Sequence, residues 1–173
     1  LHTDWNKFMS ELHDKVLSSL QNHFPDAVTH SGDERDFPVF HIEKKDLMAV
    51  LAHLKNEMGF TFLTTMCGIH FPDQGDQEFA LMYQLHALQS NERIRLKCFM
   101  PKSHLEVPTC TTLFATANWM EREAFDFYGF KFTGHPDLRR ILNMDEMNYH
   151  PLRKEYALED AGRDDKEDKY FGR

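Results

Sequence analysis

Residues 78–100 read EFALMYQLHALQSNERIRLKCFM, two period-two runs that meet at Ser90-Asn91. Apolar positions alternating with polar ones predict a β-hairpin, with residues 78–89 set against residues 92–100. A two-residue loop places Leu85 opposite Leu96, Tyr83 opposite Cys98 and Ala87 opposite Ile94 on one face. Gln84 then meets Lys97, and His86 meets Arg95, on the other. Such a sheet buries one face and leaves the second wet or covered by a partner.

Working outward, residues 4–23 carry Trp5, Phe8, Met9, Leu12, Val16, Leu17 and Leu20 at helical spacing. They predict an amphipathic helix, capped by Thr3 or Asp4 and closed before Pro25. Pro38 to Ile42 reads as a short strand. Residues 45–58 predict a second helix, with Leu47, Val50, Leu51, Leu54 and Met58 on one face and Gly59 as its terminator. Phe60 to Met66 is rich in β-formers. Strand, helix and strand in that order predict a right-handed crossover. The fold class is therefore α+β: two layers, a mixed sheet of about four or five strands, helices on one face, and an extended C-terminal tail. Residues 1–150 are assigned to the domain and 151–173 to the tail. The tail is rich in charges of both signs, a composition that cannot form its own core.

The 173 residues suit one domain, and 13% aromatic content supports a packed core. With 28 Asp and Glu against 20 Lys and Arg, the net charge of −8 argues against a general nucleic-acid binder. No apolar run approaches the roughly 20 residues that span a bilayer, and no signal-peptide pattern is legible. Any membrane contact is expected to be indirect. Cys67, Cys98 and Cys110 are odd in number and lack CxxC spacing, which fits a reducing compartment and leaves a four-thiolate cluster short of a ligand. The scattered glycines form neither GxGxxG nor a Walker loop. Among the histidines no HExxH or other metal spacing occurs; His13, His53 and His86 fall within helix or strand patterns. No catalytic, cofactor-binding or metal-ligating set is predicted.

Residues 118–142 read NWMEREAFDFYGFKFTGHPDLRRIL. Asn118 with Glu121 makes a capping-box pattern, and Gly129 ends the helix it opens. That helix is apolar on most sides, so Glu121, Arg122, Glu123 and Asp126 are expected to be partly buried and satisfied. Arg122 and Asp126 can pair at i,i+4, and Arg139 and Arg140 can serve the carboxylates bidentately. Gly134-His135-Pro136 marks a turn. One reading is a structural ion-pair network, closed within the chain or by a neighbouring protein. The other makes Glu121, Glu123 or Asp126 an acid or base working with His135.

The run E-R-E-x-x-D-x-Y-G, followed by H-P-D-L-R-R-I-L and then H-P-L-R-K-E-Y, closely resembles a known family: the C subunit of the proton-pumping NADH–quinone oxidoreductase, respiratory complex I. Glu121, Arg122, Glu123, Asp126, His135, Pro136, Arg139, Arg140, Ile141 and Leu142 lie in its first block, and His150, Pro151, Leu152, Arg153 and Lys154 in its second. His104 to Thr109 also looks like the family. Ala115 and Ala157 depart from it, standing where proline is frequent. The resemblance implies a scaffold of the hydrophilic arm that packs against the D and B subunits. It implies that flavin mononucleotide and the iron–sulfur clusters reside in partner proteins, and that none is held here. Residues 135–173 are expected to run along the D subunit, with Arg139, Arg140, Arg153 and Lys154 meeting acidic groups or carbonyls there. The implied location is the cytoplasmic side of a bacterial plasma membrane, or the matrix side in a mitochondrion. The alternative is the equivalent component of a membrane-bound hydrogenase-type complex, where a similar chain occurs.

Overall fold

The hairpin lies within a five-stranded mixed sheet in the computed structural model, which describes residues 2–34 and 37–156, with side chains from residue 10 onward. Its strands are β1 (Val28–Glu34), β2 (Phe37–Ile42), β3 (Phe62–His70), β4 (Phe79–Ala87) and β5 (Glu92–Met100). They are ordered β1-β2-β5-β4-β3. Helices α1 (His2–His23), α2 (Leu47–Asn56) and α3 (Ala117–Tyr128) bury their inner residues on one face, against Phe40, Leu63, Met66, Leu81, Tyr83, Leu85, Leu96 and Cys98. Two short parallel strands, β6 (Glu106–Pro108) and β7 (Lys131–Thr133), form a separate ladder. Strands β2 and β5 pair in parallel while β3, β4 and β5 alternate, so β2 and β3 run parallel with α2 between them in the chain. The mixed α+β architecture matches the expectation.

Register differs from it. Leu85 pairs with Ile94, Tyr83 with Leu96, Gln84 with Arg95 and His86 with Arg93, across a loop of residues 88–91. Every side chain keeps its predicted face, because a slip of two positions conserves the pleat. The physical reason lies in the turn. A two-residue type I′ loop needs positive φ at both central positions, and only Asn91 adopts it, at 56°.

Other boundaries also shift. The first helix begins at His2, so Thr3 and Asp4 lie inside it rather than capping it; the side chains of Trp5, Phe8 and Met9 fall outside the described residues. The third helix begins at Ala117 with Thr116 as N-cap and no side-chain capping bond. Asn118 and Glu121 form no capping box, because Glu121 turns inward to partners elsewhere. Strand β1, with the sequence VTHSGDE, and the β6–β7 ladder carry no alternating apolar signal and go beyond the sequence-based expectation.

Gly68 sets the distance between α3 and the sheet. A Cβ there would lie 2.7 Å from a Tyr128 ring carbon and 2.8 Å from one of Phe130. Gly68→Ala is therefore expected to overpack this seam and destabilise the fold by about 1–3 kcal/mol, read as a lower urea midpoint with unchanged slope.

Candidate functional site

Helix α3 inverts the usual arrangement. Its buried residues include Glu121, Arg122 and Asp126, whereas Trp119 is 59% exposed. Asp126 is the hub. Its Oδ1 accepts from Arg140 Nη1 at 2.7 Å, and its Oδ2 accepts the backbone N–H groups of Ile141, Leu142 and Asn143 at 3.1, 2.9 and 2.9 Å. Burial alone would raise this carboxyl. The Asn143 and Leu142 amides and the Arg140 guanidinium outweigh it and hold the pKa well below the usual carboxylate range. Arg140 also donates to the carbonyls of Asp126 at 3.1 Å, Met147 at 2.6 Å and Tyr149 at 3.0 Å. Arg122 donates to the carbonyls of Arg139 at 3.1 Å and Arg140 at 2.9 Å, with its guanidinium over the Trp119 ring. The expected Arg122–Asp126 pair is thus replaced by two longer-range attachments.

The same segment caps α3. A helix leaves its last four carbonyls without intrahelical donors. Gly129 N–H takes Phe125 O at 2.9 Å, and His150 Nδ1 takes Asp126 O at 3.0 Å. Leu152 N–H takes Phe127 O at 3.2 Å, and Arg153 Nε takes Tyr128 O at 2.8 Å. Residues 150–153 therefore supply a C-terminal cap from distant sequence, with an Arg at the negative end of the helix dipole. Gly129, at φ +84°, permits it: a Cβ there would sit 2.6 Å from Arg153 Nη2 and 2.7 Å from the His150 ring. Arg153 also lies over Phe79, and Lys154 N–H donates to His70 Nδ1 at 2.8 Å. His70 Nε2 meets Glu78 at 3.0 Å.

A second node sits at the other end of α3. The Glu121 carboxylate is fully buried and accepts Thr109 Oγ1 at 2.5 Å and Cys110 N–H at 2.7 Å. His135 Nδ1 accepts Asp137 N–H at 3.0 Å, so its ring proton sits on Nε2 and is donated to Asn118 O at 3.1 Å. Glu121 and His135 lie 4.0 Å apart with both side chains shielded from solvent. Burial pushes the Cys98 thiol up to about 12, and burial with the Glu121 charge pushes Cys110 higher still. Both thiols are free and buried.

Of the residues singled out in the sequence, Glu121, Arg122, Asp126, Arg140, His150 and Arg153 turn inward on this chain. Glu123 and Lys154 are exposed, and the Arg139 side chain, also exposed, pairs with Asp137 at 2.9 Å. Pro136 lies in the exposed turn beside His135, and Pro151 is half-buried beside His150. Residues 151–156 of the predicted tail pack on this chain; residues 157–173, Ala157 included, lie outside the described residues. Gly68 and His70 carry no sequence signal, and Thr109 carries only the family likeness of His104 to Thr109, since their partners lie far away along the chain. Leu142 and Met144 are 71% and 68% exposed, and Tyr149, Leu152 and Tyr156 are about 40% exposed. The segment thus anchors itself by backbone groups, cations and Leu138 against the core, and turns Leu142, Met144, Tyr149, Leu152 and Tyr156 outward.

His150 makes the C-terminal cap of α3 pH-sensitive. Burial lowers its pKa below the ordinary 6.5, outweighing the Asp126 carbonyl, while Arg153 and Arg140 lower it further. The neutral ring is thus favoured when docked, and its contribution is full above the ordinary value and lost as pH falls through the depressed one. Amide exchange at Leu152, corrected for intrinsic rate, is expected to speed up as pH falls below the ordinary histidine value of 6.5 and to lose that step in His150→Gln.

The family described as "Respiratory-chain NADH dehydrogenase, 30 Kd subunit" matches residues 40–162. The C subunit of the NADH-quinone oxidoreductase of Moorella thermoacetica is 38% identical over 86% of this chain and 98% of its own length. That of Trichlorobacter lovleyi is 34% identical over 87% and 93%. Among solved structures, a trypsin-resistant fragment (1–134) of Nqo5 aligns with a TM-score of 0.62 at 27% identity, covering 73% of this chain and 99% of the fragment. A chain of the membrane-bound sulfane sulfur reductase, an archaeal respiratory membrane complex, shares the fold with a TM-score of 0.71 at 19% identity, over 84% of this chain and 85% of its own.

Proposed function

The chain belongs to the family of the 30 kDa subunit of respiratory-chain NADH dehydrogenase, and from that membership we propose that it is a scaffold of the hydrophilic arm. It is a subunit of an NADH–quinone oxidoreductase and works among other subunits of that complex. In this reading it carries out no chemistry itself. Flavin and iron–sulfur clusters are held by its neighbours, and it packs against the D and B subunits on the cytoplasmic face of the membrane, or the matrix face in a mitochondrion. Among the described residues no helix is long and apolar enough to cross a membrane.

One observation carries the reading: the 138–156 segment is fixed by its polar groups and presents Leu142, Met144, Tyr149, Leu152 and Tyr156 outward. Several exposed apolar side chains on one segment held by buried polar contacts fit a protein interface. The burial of Glu121 and His135 argues against that pair as an acid–base couple, because substrate has no approach to either.

The test is Leu142→Asp with Met144→Asp, introduced into the whole complex. These side chains reach solvent, so the isolated variant should keep its stability within about 0.5 kcal/mol. In mild detergent the variant is expected to be lost from the arm. Retention at wild-type level would sink the proposal. The identity of the co-purifying partners also separates this reading from a hydrogenase-type complex: a flavin-bearing NADH-oxidising module supports it, and a nickel-bearing large subunit opposes it.

A further inference from the structure

The helices occupy one face of the sheet, and the other face carries its own charge pattern. On β5, the central strand, Arg93, Arg95 and Lys97 alternate onto this open face. Across the ladders, Arg95 lies beside Val39 and Gln84, Lys97 beside His41 and Met82, and Arg93 beside His86. Val39 and Ala80 are buried yet stand apart from the helix-side core, so this face has a thin packed layer of its own. Phe37 and Phe99 are half-buried at its margins, with the Arg95 guanidinium over the Phe37 ring.

Three cations gather here on a chain whose net charge is −8. Glu34, at the end of β1, shows what they bind. Its carboxylate takes both contacts from Lys97 Nζ at 2.6 Å and lies 3.7 Å from Arg95 Nη1. Arg95 donates Nη2 to Gln84 at 3.2 Å, but its Nε is buried with no partner among the described residues. Arg93 is exposed, and no described carboxylate pairs with it. Charge is thus left over along the stripe after Glu34 is used. Side chains two apart on a strand repeat every ~6.6 Å, which matches carboxylates at alternate positions of another extended segment.

We infer that the open face of β5 is a second docking surface, taking an extended acidic segment of a neighbouring subunit onto Arg93 and Arg95, while Lys97 is buried and held by Glu34. The inference rests on the subunit reading above, and it adds a surface on the opposite side of the sheet from the helices. Charge complementarity selects an acidic partner, while Phe37 and Phe99 supply apolar contact at the edges.

Arginine labelling with phenylglyoxal, read by mass spectrometry, tests it in the free chain and in the complex isolated in mild detergent. Arg93 should be labelled in the free chain and at least ten-fold protected in the complex. Arg93→Glu should lower retention of the chain in the arm at least ten-fold, and Arg93→Lys should restore it. Because Arg93 is exposed, both variants are expected to fold. Equal labelling in the two states overturns the inference, as does protection with no effect of Arg93→Glu, which would mean a cover of other chemistry. Protection already present in the free chain, and lost when residues 157–173 are removed, would assign the face to the chain's own end and overturn it too. A chain present in the arm with a reactive Arg93 leaves the subunit reading standing; a chain absent from the arm removes that reading itself.

Discussion

Asp126→Asn is expected to free the 138–156 segment while leaving the five-stranded sheet folded. Asparagine has nearly the size of aspartate, so cavity effects are small. What changes is charge and the sense of one hydrogen-bonding atom. The three consecutive amides of Ile141, Leu142 and Asn143 converge on Oδ2, and Arg140 binds Oδ1. An Asn side chain offers one acceptor and one donor, so either the amides or the guanidinium must face an N–H group. Arg140, only 10% exposed at its side chain, would be left without its counter-charge. Removing one partner of a buried pair costs about 3–5 kcal/mol. Exchange of the three amides should accelerate by at least a hundred-fold, with the amides of β4 and β5 unchanged. Protection equal to wild type would show that the carboxylate does not hold the turn.

Glu121→Ala should produce a comparable loss through a different route. The carboxylate is fully buried, and its removal strands the Cys110 N–H and leaves the Thr109 hydroxyl only its Thr111 contacts, at 3.0 and 3.2 Å. Each unsatisfied buried group costs about 1–3 kcal/mol, and the vacated volume adds to it. Glu121→Gln keeps the shape and one acceptor for Cys110, and the Thr109 hydroxyl can rotate to accept from the new amide. The expected order of thermal midpoints is wild type, then Gln, then Ala lowest, with Ala reduced by roughly 8–15 °C at 2–4 °C per kcal/mol. An Ala variant as stable as wild type would mean that the node contributes nothing.

These two carboxylates show how far the sequence was readable. The sheet face of every hairpin residue followed from period-two alternation, because burial imposes it directly. The partner across the ladder did not, because Ser90-Asn91 suits a two-residue loop in composition and only its backbone angles reject one. Asn118 and Glu121 fitted a local cap, yet Thr109 and Cys110 claim Glu121, a contact with no local signature. That Glu121, Arg122 and Asp126 of α3 would be buried was legible from the apolar residues around them, whereas Glu123, expected with them, is exposed because it lies on the helix's outer side. That residues 150–153 would cap the same helix was not, since every residue offers the same backbone carbonyl to a distant donor. The signature blocks therefore pointed to a partner surface, while the geometry shows that Asp126, Arg140, His150 and Arg153 first build the support on which such a surface stands.

A photo-reactive residue at Leu142 in the intact complex decides whether that support faces a neighbouring protein. Illumination should yield a covalent adduct with another component of the hydrophilic arm, and the adduct should disappear when Asp126→Asn is added. An intact complex that contains the chain, yet gives no intersubunit adduct from Leu142, would contradict the scaffold role assigned to this segment.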